Sequence, residues 1–320
     1  MSRVKILREH GLALDVGGVK FVFDSKPIDN SIQLISHAHL DHVDTLSQMN
    51  VIMTNETSSI LKSIGRRGNW TTIDYGIGLI ILDDLKIFAE SSGHVLGSAQ
   101  FIIDTDGLRL VYTGDLNIYD SLVHEGAKPV DSDILIIEST YGEPSYRFPS
   151  REKIYANIVK WILKTVNSGQ IPAFKVYSLG KSQEIIQLIN AYLDIPVVVS
   201  QSVARISEKY REYGKPLEYL SINSIEGLEV LRHGECVYVS SFRDELPSRK
   251  KTRWAVATGW AIRYRYSSYD MAFPLSGHSD YDGLIKYVEE SSPKQVYTIH
   301  GFAKEFSRHL VRRGIRASPL

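Results

Sequence analysis

The run His37-Ala38-His39-Leu40-Asp41-His42 places four side chains able to bind a transition metal within six residues. Ser31 to Ser36, just upstream, reads as a buried strand, so His37 and His39 share one side at period two while Asp41 and His42 turn into a following helix. That spacing converges four ligands on one small volume. Imidazole and carboxylate suit zinc, with iron or manganese also suited, and an open coordination position would hold a water whose pKa falls to about 7. A metal-dependent hydrolase is therefore the leading expectation. The bland alternative, a polar surface turn, is disfavoured by two histidines and a His-Asp pair at this spacing.

Four more segments put polar residues at the ends of apolar runs: Ser92-Gly93-His94-Val95-Leu96-Gly97, Tyr112-Thr113-Gly114-Asp115, Phe273 to His278, and Tyr297 to Gly301. Loops at strand ends are where fixed sites are usually built. Taken singly, a Gly-His or Gly-Asp there is ordinary turn chemistry, and it is the order of the segments along the chain that carries weight. Six of the ten histidines fall in these motifs, leaving His10, His124, His233 and His309 as solvated or structural residues.

The elements that must position these groups follow from composition and pattern. With 320 residues, 43% of them hydrophobic, the chain exceeds the usual size of one domain, and two are expected. No apolar run follows the charged Ser2 to His10 segment, and no stretch approaches the roughly 20 apolar residues that cross a bilayer, so a soluble, cytoplasmic protein with no membrane partner is expected. The single Cys236 excludes an internal disulfide and reads as a small core residue. Basic and acidic residues balance at 37 each, which argues against a uniformly basic coat and leaves phosphate attraction to local patches.

Residues 1–145 alternate short apolar runs with Gly, Asp or Asn, including Gly78 to Leu82, Ala99 to Ile103, Leu108 to Tyr112 and Asp133 to Glu138, as strands of packed sheets do. After Pro144 and Pro149 the pattern changes. Ile154, Ile158, Trp161, Ile162 and Thr165 recur at helical spacing, and Gly169 supplies a stop. Strand-like Ile171 to Tyr177, helical Ser182 to Leu193, strand-like Pro196 to Val199 and helical Ser202 to Tyr213 then alternate, which predicts a parallel sheet flanked by helices, continued by Val237 to Ser240 and Trp254 to Ala257. From residue 270 a strand at Met271 to Leu275, a helix at Asp280 to Glu290 and a strand at Gln295 to His300 return to the first layer. The expected division is thus 1–145 plus 270–320 as one discontinuous domain, with 146–269 inserted.

Together these motifs resemble the metallo-β-lactamase fold. The resemblance implies that His37, His39, His94 and Asp115 hold one metal, while Asp41, His42, a bridging Asp115 and His300 hold a second. Asp24, ending the run Val19 to Asp24, resembles the family's first motif, whose carboxylate orients the ligands from behind. The inserted unit and the late histidines resemble the β-CASP branch, which cuts nucleic acids: Ile137-Glu138-Ser139-Thr140-Tyr141-Gly142 resembles its acidic motif, Ser276-Gly277-His278-Ser279-Asp280 its second and Ile299-His300-Gly301 its third. Within the branch the likeness is to ligase-associated DNA exonucleases and to exonucleases like archaeal mRNA 3′-end processing factors. The Tyr177 to Gln183 run and Gly259-Trp260 share it, so it covers nearly the whole chain.

The fold implied is α/β: a metallo-β-lactamase αββα sandwich carrying an inserted Rossmann-like β-CASP domain. The chemistry implied is phosphodiester hydrolysis with two divalent ions, zinc first and manganese or iron as alternatives. Asp41 would orient the attacking water, and His278, positioned by Glu138, would protonate the leaving sugar oxygen. The substrate implied is nucleic acid, DNA ahead of RNA, because the chain lacks the N-terminal RNA-binding modules of the archaeal polyadenylation-factor relatives and its insertion is shorter. His300 does not decide between the polymers. A thioesterase or lactonase on the same metal core, and a silent nucleic-acid-binding subunit, are rivals. The first usually lacks the insertion, and the second is disfavoured by an intact ligand set.

Two segments are candidates for holding phosphate. Gly180-Lys181-Ser182 opens a helix after a strand, as phosphate-holding turns do, but Lys175 stands where a Walker loop needs Gly. A simple helix start is the alternative. Arg263-Tyr264-Arg265-Tyr266 interleaves cations for phosphates with rings for bases. The similar patches at Arg249 to Arg253 and Arg312 to Arg316 compete with readings as solvated faces or helix ends.

Overall fold

The computed structural model describes residues 4–7, 12–43, 46, 50–105 and 107–320, so His10 and most of the charged N-terminal segment lie outside the described residues. The chain divides into two compact units. One comprises Met1–Asp120, His124–Ser145 and His278–Leu320, the other Ser121–Val123 and Tyr146–Gly277.

In the first unit, β1 (Val4–Leu7), β2 (Leu12–Val16), β3 (Val19–Phe23), β4 (Ser31–Leu34), β5 (Val51–Thr54) and β6 (Thr71–Ile73) form a six-stranded sheet in chain order, antiparallel through β3 and parallel beyond it. Helix α1 (Asn55–Ser63) lies on it against β5 and β6. A second sheet begins with the antiparallel run β7 (Leu79–Leu82), β8 (Leu85–Ser91), β9 (Ala99–Thr105) and β10 (Leu108–Tyr112), and β11 (Ile134–Glu138) adds in parallel.

The period of two along each strand sorts its side chains into two layers. Phe21, Phe23 and Leu34 of the first sheet pack on Ile87, Phe101, Ile103, Leu110 and Tyr112 of the second. The intervening residues Ile102, Val111, Leu135 and Ile137 face away and meet two later helices. The layers therefore run helix, sheet, sheet, helix.

The second unit starts with α2 (Arg151–Asn167), whose first turn is capped by the Ser150 hydroxyl accepting from the Lys153 amide. Strand β12 (Ile171–Lys175), α3 (Lys181–Tyr192), β13 (Val197–Val199), α4 (Gln201–Glu212), β14 (Leu220–Ser221), α5 (Ile225–His233), β15 (Val237–Ser240), β16 (Thr252–Ala257) and β17 (Met271–Phe273) follow. Their sheet order is β14-β13-β15-β12-β16-β17, parallel throughout, a Rossmann-like arrangement. Tyr238, Trp254 and Ile171 fill one face, with Cys236 buried among them and its thiol pushed up to about 12 by burial.

One boundary shifts from the expectation. Met271–Phe273 pairs in parallel with β16 (Ala255 opposite Met271), so this strand completes the sheet of the second unit and does not open the return to the first. The return begins at His278. There α6 (Tyr281–Ser291), β18 (Gln295–Ile299), α7 (Ala303–Arg312) and β19 (Ala317–Pro319) complete the second sheet and its outer helical layer. Among the described residues no helix is long and apolar enough to cross a membrane.

Candidate metal centre

All the histidines of the motifs belong to the first unit, at loops following strands. After β4 the chain reaches an extended His39 and then a 3-10 turn, Leu40–His42, and the segment where the expected helix would continue lies mostly outside the described residues. His37 is fully buried and His39 half-buried. Two glycines bring the supporting loops close enough to share a site. Gly93 has φ +68°, and a Cβ there would lie 2.2 Å from the Asn117 carbonyl oxygen. Gly114, at φ +54°, lies so near Ser36 that a Cβ would meet the serine Cβ at 2.6 Å. The loops bearing His94, Asp115 and His37 are thus in backbone contact.

Four donor atoms converge. His37 Nε2 is 2.9 Å from His39 Nδ1, which is 3.2 Å from His94 Nε2, and both Nε2 atoms lie 3.5 Å from Asp115 Oδ2. Ligands held at roughly 2.0–2.1 Å by a tetrahedral ion stand roughly 3.3–3.4 Å apart, so this cluster has the span of such a shell. On its other side Asp115 Oδ2 faces His42 Nε2 at 3.6 Å and His278 Nε2 at 3.8 Å.

Hydrogen bonds behind the rings fix which nitrogen points inward. The Ser36 hydroxyl gives its one proton to Asp24 Oδ2 at 2.5 Å, so its oxygen can only accept from His37 Nδ1, 2.9 Å away. His37 is therefore left with a bare Nε2 facing the cluster. Burial first, then the His42, His39, His94 and His278 rings around it, push His37 well below the usual imidazole range and keep it neutral. Asp24 also takes the Ser36 amide at 2.7 Å, the Tyr112 hydroxyl at 2.8 Å and His42 Nδ1 at 3.0 Å. Burial opposes a charge on Asp24, but His42 and the Ser36 donors outweigh it and hold the carboxyl below its ordinary value.

Burial likewise opposes a charge on His42, yet the Asp115 and Asp24 carboxylates lift it to about 10. Asp115 itself is raised, because burial exceeds the relief that His278 and His42 give. At the end of β11, Glu138 is fully buried and accepts from the Leu116 amide at 2.9 Å, the Thr140 amide at 3.0 Å and His278 Nδ1 at 2.8 Å. Burial would raise its carboxyl, but His278 and these donors bring it down to about 2.

The bare His37 Nε2 and the Asp115 carboxylate oxygen it faces are both acceptors, an arrangement that a cation resolves. The donor set of three imidazoles and a carboxylate fits a borderline-soft divalent ion. Three groups have the proximity to hold one: His37, His39, His94 and Asp115; Asp24, His37 and His42; and Asp115, Glu138 and His278.

Of the expected site residues, Asp41 and His300 join none of these groups. Asp41 is exposed on the 3-10 turn. His300, also exposed, follows β18 with a left-handed φ of +60°, its ring centroid 6.2 Å from that of His42. The remaining candidates lie in the second unit. The Gly180 amide donates to the Gln183 side chain at 2.8 Å and the Ser182 hydroxyl to the Tyr177 carbonyl at 2.6 Å, which supports a self-capped helix start over a phosphate cradle. Lys181 sits with Nζ 4.9 Å from the centre of the Tyr177 ring. Arg263 and Arg265 are exposed, with exposed Tyr264 between them. In the other basic patches Arg253 pairs with Asp270 and Arg313 with Glu289.

Sequence reasoning missed Ser36 and Tyr112. Ser36 adjoins His37, and Tyr112 opens the motif that ends in Asp115, but neither residue type announces a metal.

A profile described as the Zn-dependent metallo-hydrolase RNA specificity domain matches residues 272–318. The chain is 29% identical over 292 residues to a probable DNA ligase of Opitutus terrae, covering 88% of this chain and 28% of that protein. It is 27% identical to an RNase J-like protein of Methanocaldococcus jannaschii (65% and 56% covered) and 26% identical to cleavage and polyadenylation specificity factor subunit 3 of Dictyostelium discoideum (88% and 47%). The chain thus spans between about a quarter and just over half the length of these relatives. A solved protein of unknown function from Enterococcus faecalis V583 has the same fold, with a TM-score of 0.68, 13% identity and coverage of 100% of this chain and 96% of that one. The matched profile covers the return from the parallel-sheet insertion and the aligned relatives reach across the histidine motifs before it, so over most of its length the chain is similar to proteins of the β-CASP branch of the metallo-β-lactamase superfamily.

Proposed function

We propose that this chain is a nuclease that hydrolyses phosphodiester bonds with two divalent metal ions, zinc by preference, and that it acts as an exonuclease on DNA in repair. The observation that carries the reading is the set of four imidazole nitrogens, those of His37, His94, His42 and His278, gathered within 3.5–3.8 Å of Asp115 Oδ2. Ions bound there would neutralise charge on the phosphoryl group and supply the acidity that makes water a nucleophile at neutral pH.

The chain's own groups do the rest. His37, His39, His94 and Asp115 would hold the first ion, and His42 with Asp115 the second. Asp41 and His300 would add donors to that second ion, and Asp41 would also orient water. Glu138 stays anionic and holds His278 by Nδ1, leaving Nε2 as the atom that would pass a proton to the leaving sugar oxygen. In the second unit, Lys181, Arg263 and Arg265 are the cations offered to the strand, with the turn of Gly180 and Ser182 carrying Lys181.

DNA is favoured because a region like this chain is built into a protein named as a probable DNA ligase. A specific observation favours RNA as the second reading: the profile matched at 272–318 is described as an RNA specificity domain, and another relative is named an endoribonuclease. Matched DNA and RNA strands, labelled at either end and incubated with zinc and with manganese, test both. Progressive shortening of DNA from one end is expected, with RNA cut more slowly. The opposite ranking would transfer the proposal to RNA, and intact strands of both kinds beside fully metal-loaded protein would end the nuclease reading.

A further inference from the structure

Asp24 and the histidines it supports follow strands of the first sheet, whereas Asp115 follows β10 of the second. The shared site therefore depends on how the two sheets are registered; the Ala99 amide donates to the Ser36 carbonyl across them at 2.8 Å, and behind the rings a side-chain hydrogen bond spans them as well. Tyr112, the last residue of β10 and three before Asp115, sends its hydroxyl to Asp24 Oδ2 at 2.8 Å. Its ring packs on Phe23, with centroids 4.6 Å apart, and the side chain is 1% exposed.

Asp24 Oδ2 is the same atom that receives the Ser36 hydroxyl and His42 Nδ1. Asp24 sits at a left-handed φ of +45°, where a non-glycine residue is held by its contacts and not by preference. We propose that Tyr112 is a positioning residue of the metal centre: its hydroxyl locks Asp24 across the sandwich and so sets the distance between the histidines of one sheet and Asp115 of the other. This rests on the two-ion reading above. Burial and the Asp24 carboxylate keep the phenol far above its usual range, so it remains a donor at all working pH values.

The substitution Tyr112→Phe removes only the hydroxyl. A matched control is Tyr287→Phe, which deletes another buried tyrosine hydroxyl of the same unit, one hydrogen-bonded to Gln100 and not to Asp24. Metal affinity measured by chelator competition, and the visible absorption of cobalt-loaded protein, report the ligand geometry independently of turnover. Supporting partners of metal ligands typically contribute about 10–100-fold in affinity, so Y112F is expected to bind metal 10–100-fold more weakly with an altered cobalt band, and Y287F to match the unsubstituted protein. In an Asp24→Asn background, Y112F should add little further loss, because the two act through one contact.

Unchanged affinity and spectrum in Y112F would overturn the proposal, as would equal losses in Y112F and Y287F, or full additivity with D24N. If the unsubstituted protein bound no metal, the two-ion reading itself would fail, an outcome distinct from all of these.

Discussion

Two turns that follow strands in this molecule both stand out by their polar residues and differ in chemistry. The turn after β4 carries His37, His39 and His42, and the turn after β12 carries Gly180, Lys181 and Ser182. In the second, donors meet acceptors: the Gly180 amide takes Gln183, the Ser182 hydroxyl takes the Tyr177 carbonyl, and the Gln183 amide takes Ser178 and Ser207. In the first, hydrogen bonds are satisfied behind the rings, at Ser36 and Asp24, while the forward nitrogens face one another and Asp115. A buried turn whose polar groups pair among themselves caps a helix. One that directs acceptors at acceptors is built for something positive that the chain does not itself supply.

The most damaging change to that contrast is removal of the shared acceptor. Asp115→Ala is expected to lose both ions by elemental analysis and to bring cleavage down to the uncatalysed background. A fully loaded, active variant would mean that the convergence is incidental. Asp41→Ala should be nearly as damaging to cleavage yet keep one ion per chain, because none of the four donors around His39 comes from Asp41. Unchanged strand cleavage would remove Asp41 from the mechanism. His278→Ala should keep both ions and slow turnover by about 100 to 10,000 fold, the usual worth of a positioned proton donor. Metal loss in that variant would instead make His278 a ligand.

Much of this was legible from residue order, for physical reasons that also mark where legibility stops. Short apolar runs bounded by Gly and Asp located β9 and β10, since strands covered on both faces in a sandwich are apolar on both sides. Helical spacing of Ile154, Ile158, Trp161 and Ile162 located α2, and these residues are indeed its buried face. Strand Met271–Phe273 was assigned to the wrong sheet, because three apolar residues state that a strand exists and nothing about its neighbour. At the site, His37 and His39 announce themselves by type and spacing, while His94 and Asp115 are reached through the order of the motifs and the resemblance it carries. Tyr112 does not announce itself, since a tyrosine ending an apolar strand is also what an ordinary core would use; only the carboxylate 88 residues away gives its hydroxyl a purpose.

The smallest expected effects come from the turn after β12, and they sharpen the contrast from its quiet side. If that turn is a self-capped helix start, Ser182→Ala removes one buried hydrogen bond and should cost about 1 kcal/mol of stability while leaving nucleic-acid affinity unchanged. Lys181 is the exception, because its ammonium rests over the exposed face of Tyr177 and not inside the turn. Removing it can cost at most one phosphate contact, a change of about 0.7 in the slope of log affinity against log salt for a single strand. Filter-binding titrations across salt concentrations, run beside thermal melts, separate these outcomes. A Ser182→Ala protein that melts normally but binds the strand many-fold more weakly would show that the hydroxyl faces phosphate in the complex, and the difference between the two turns would then be one of ligand and not of purpose.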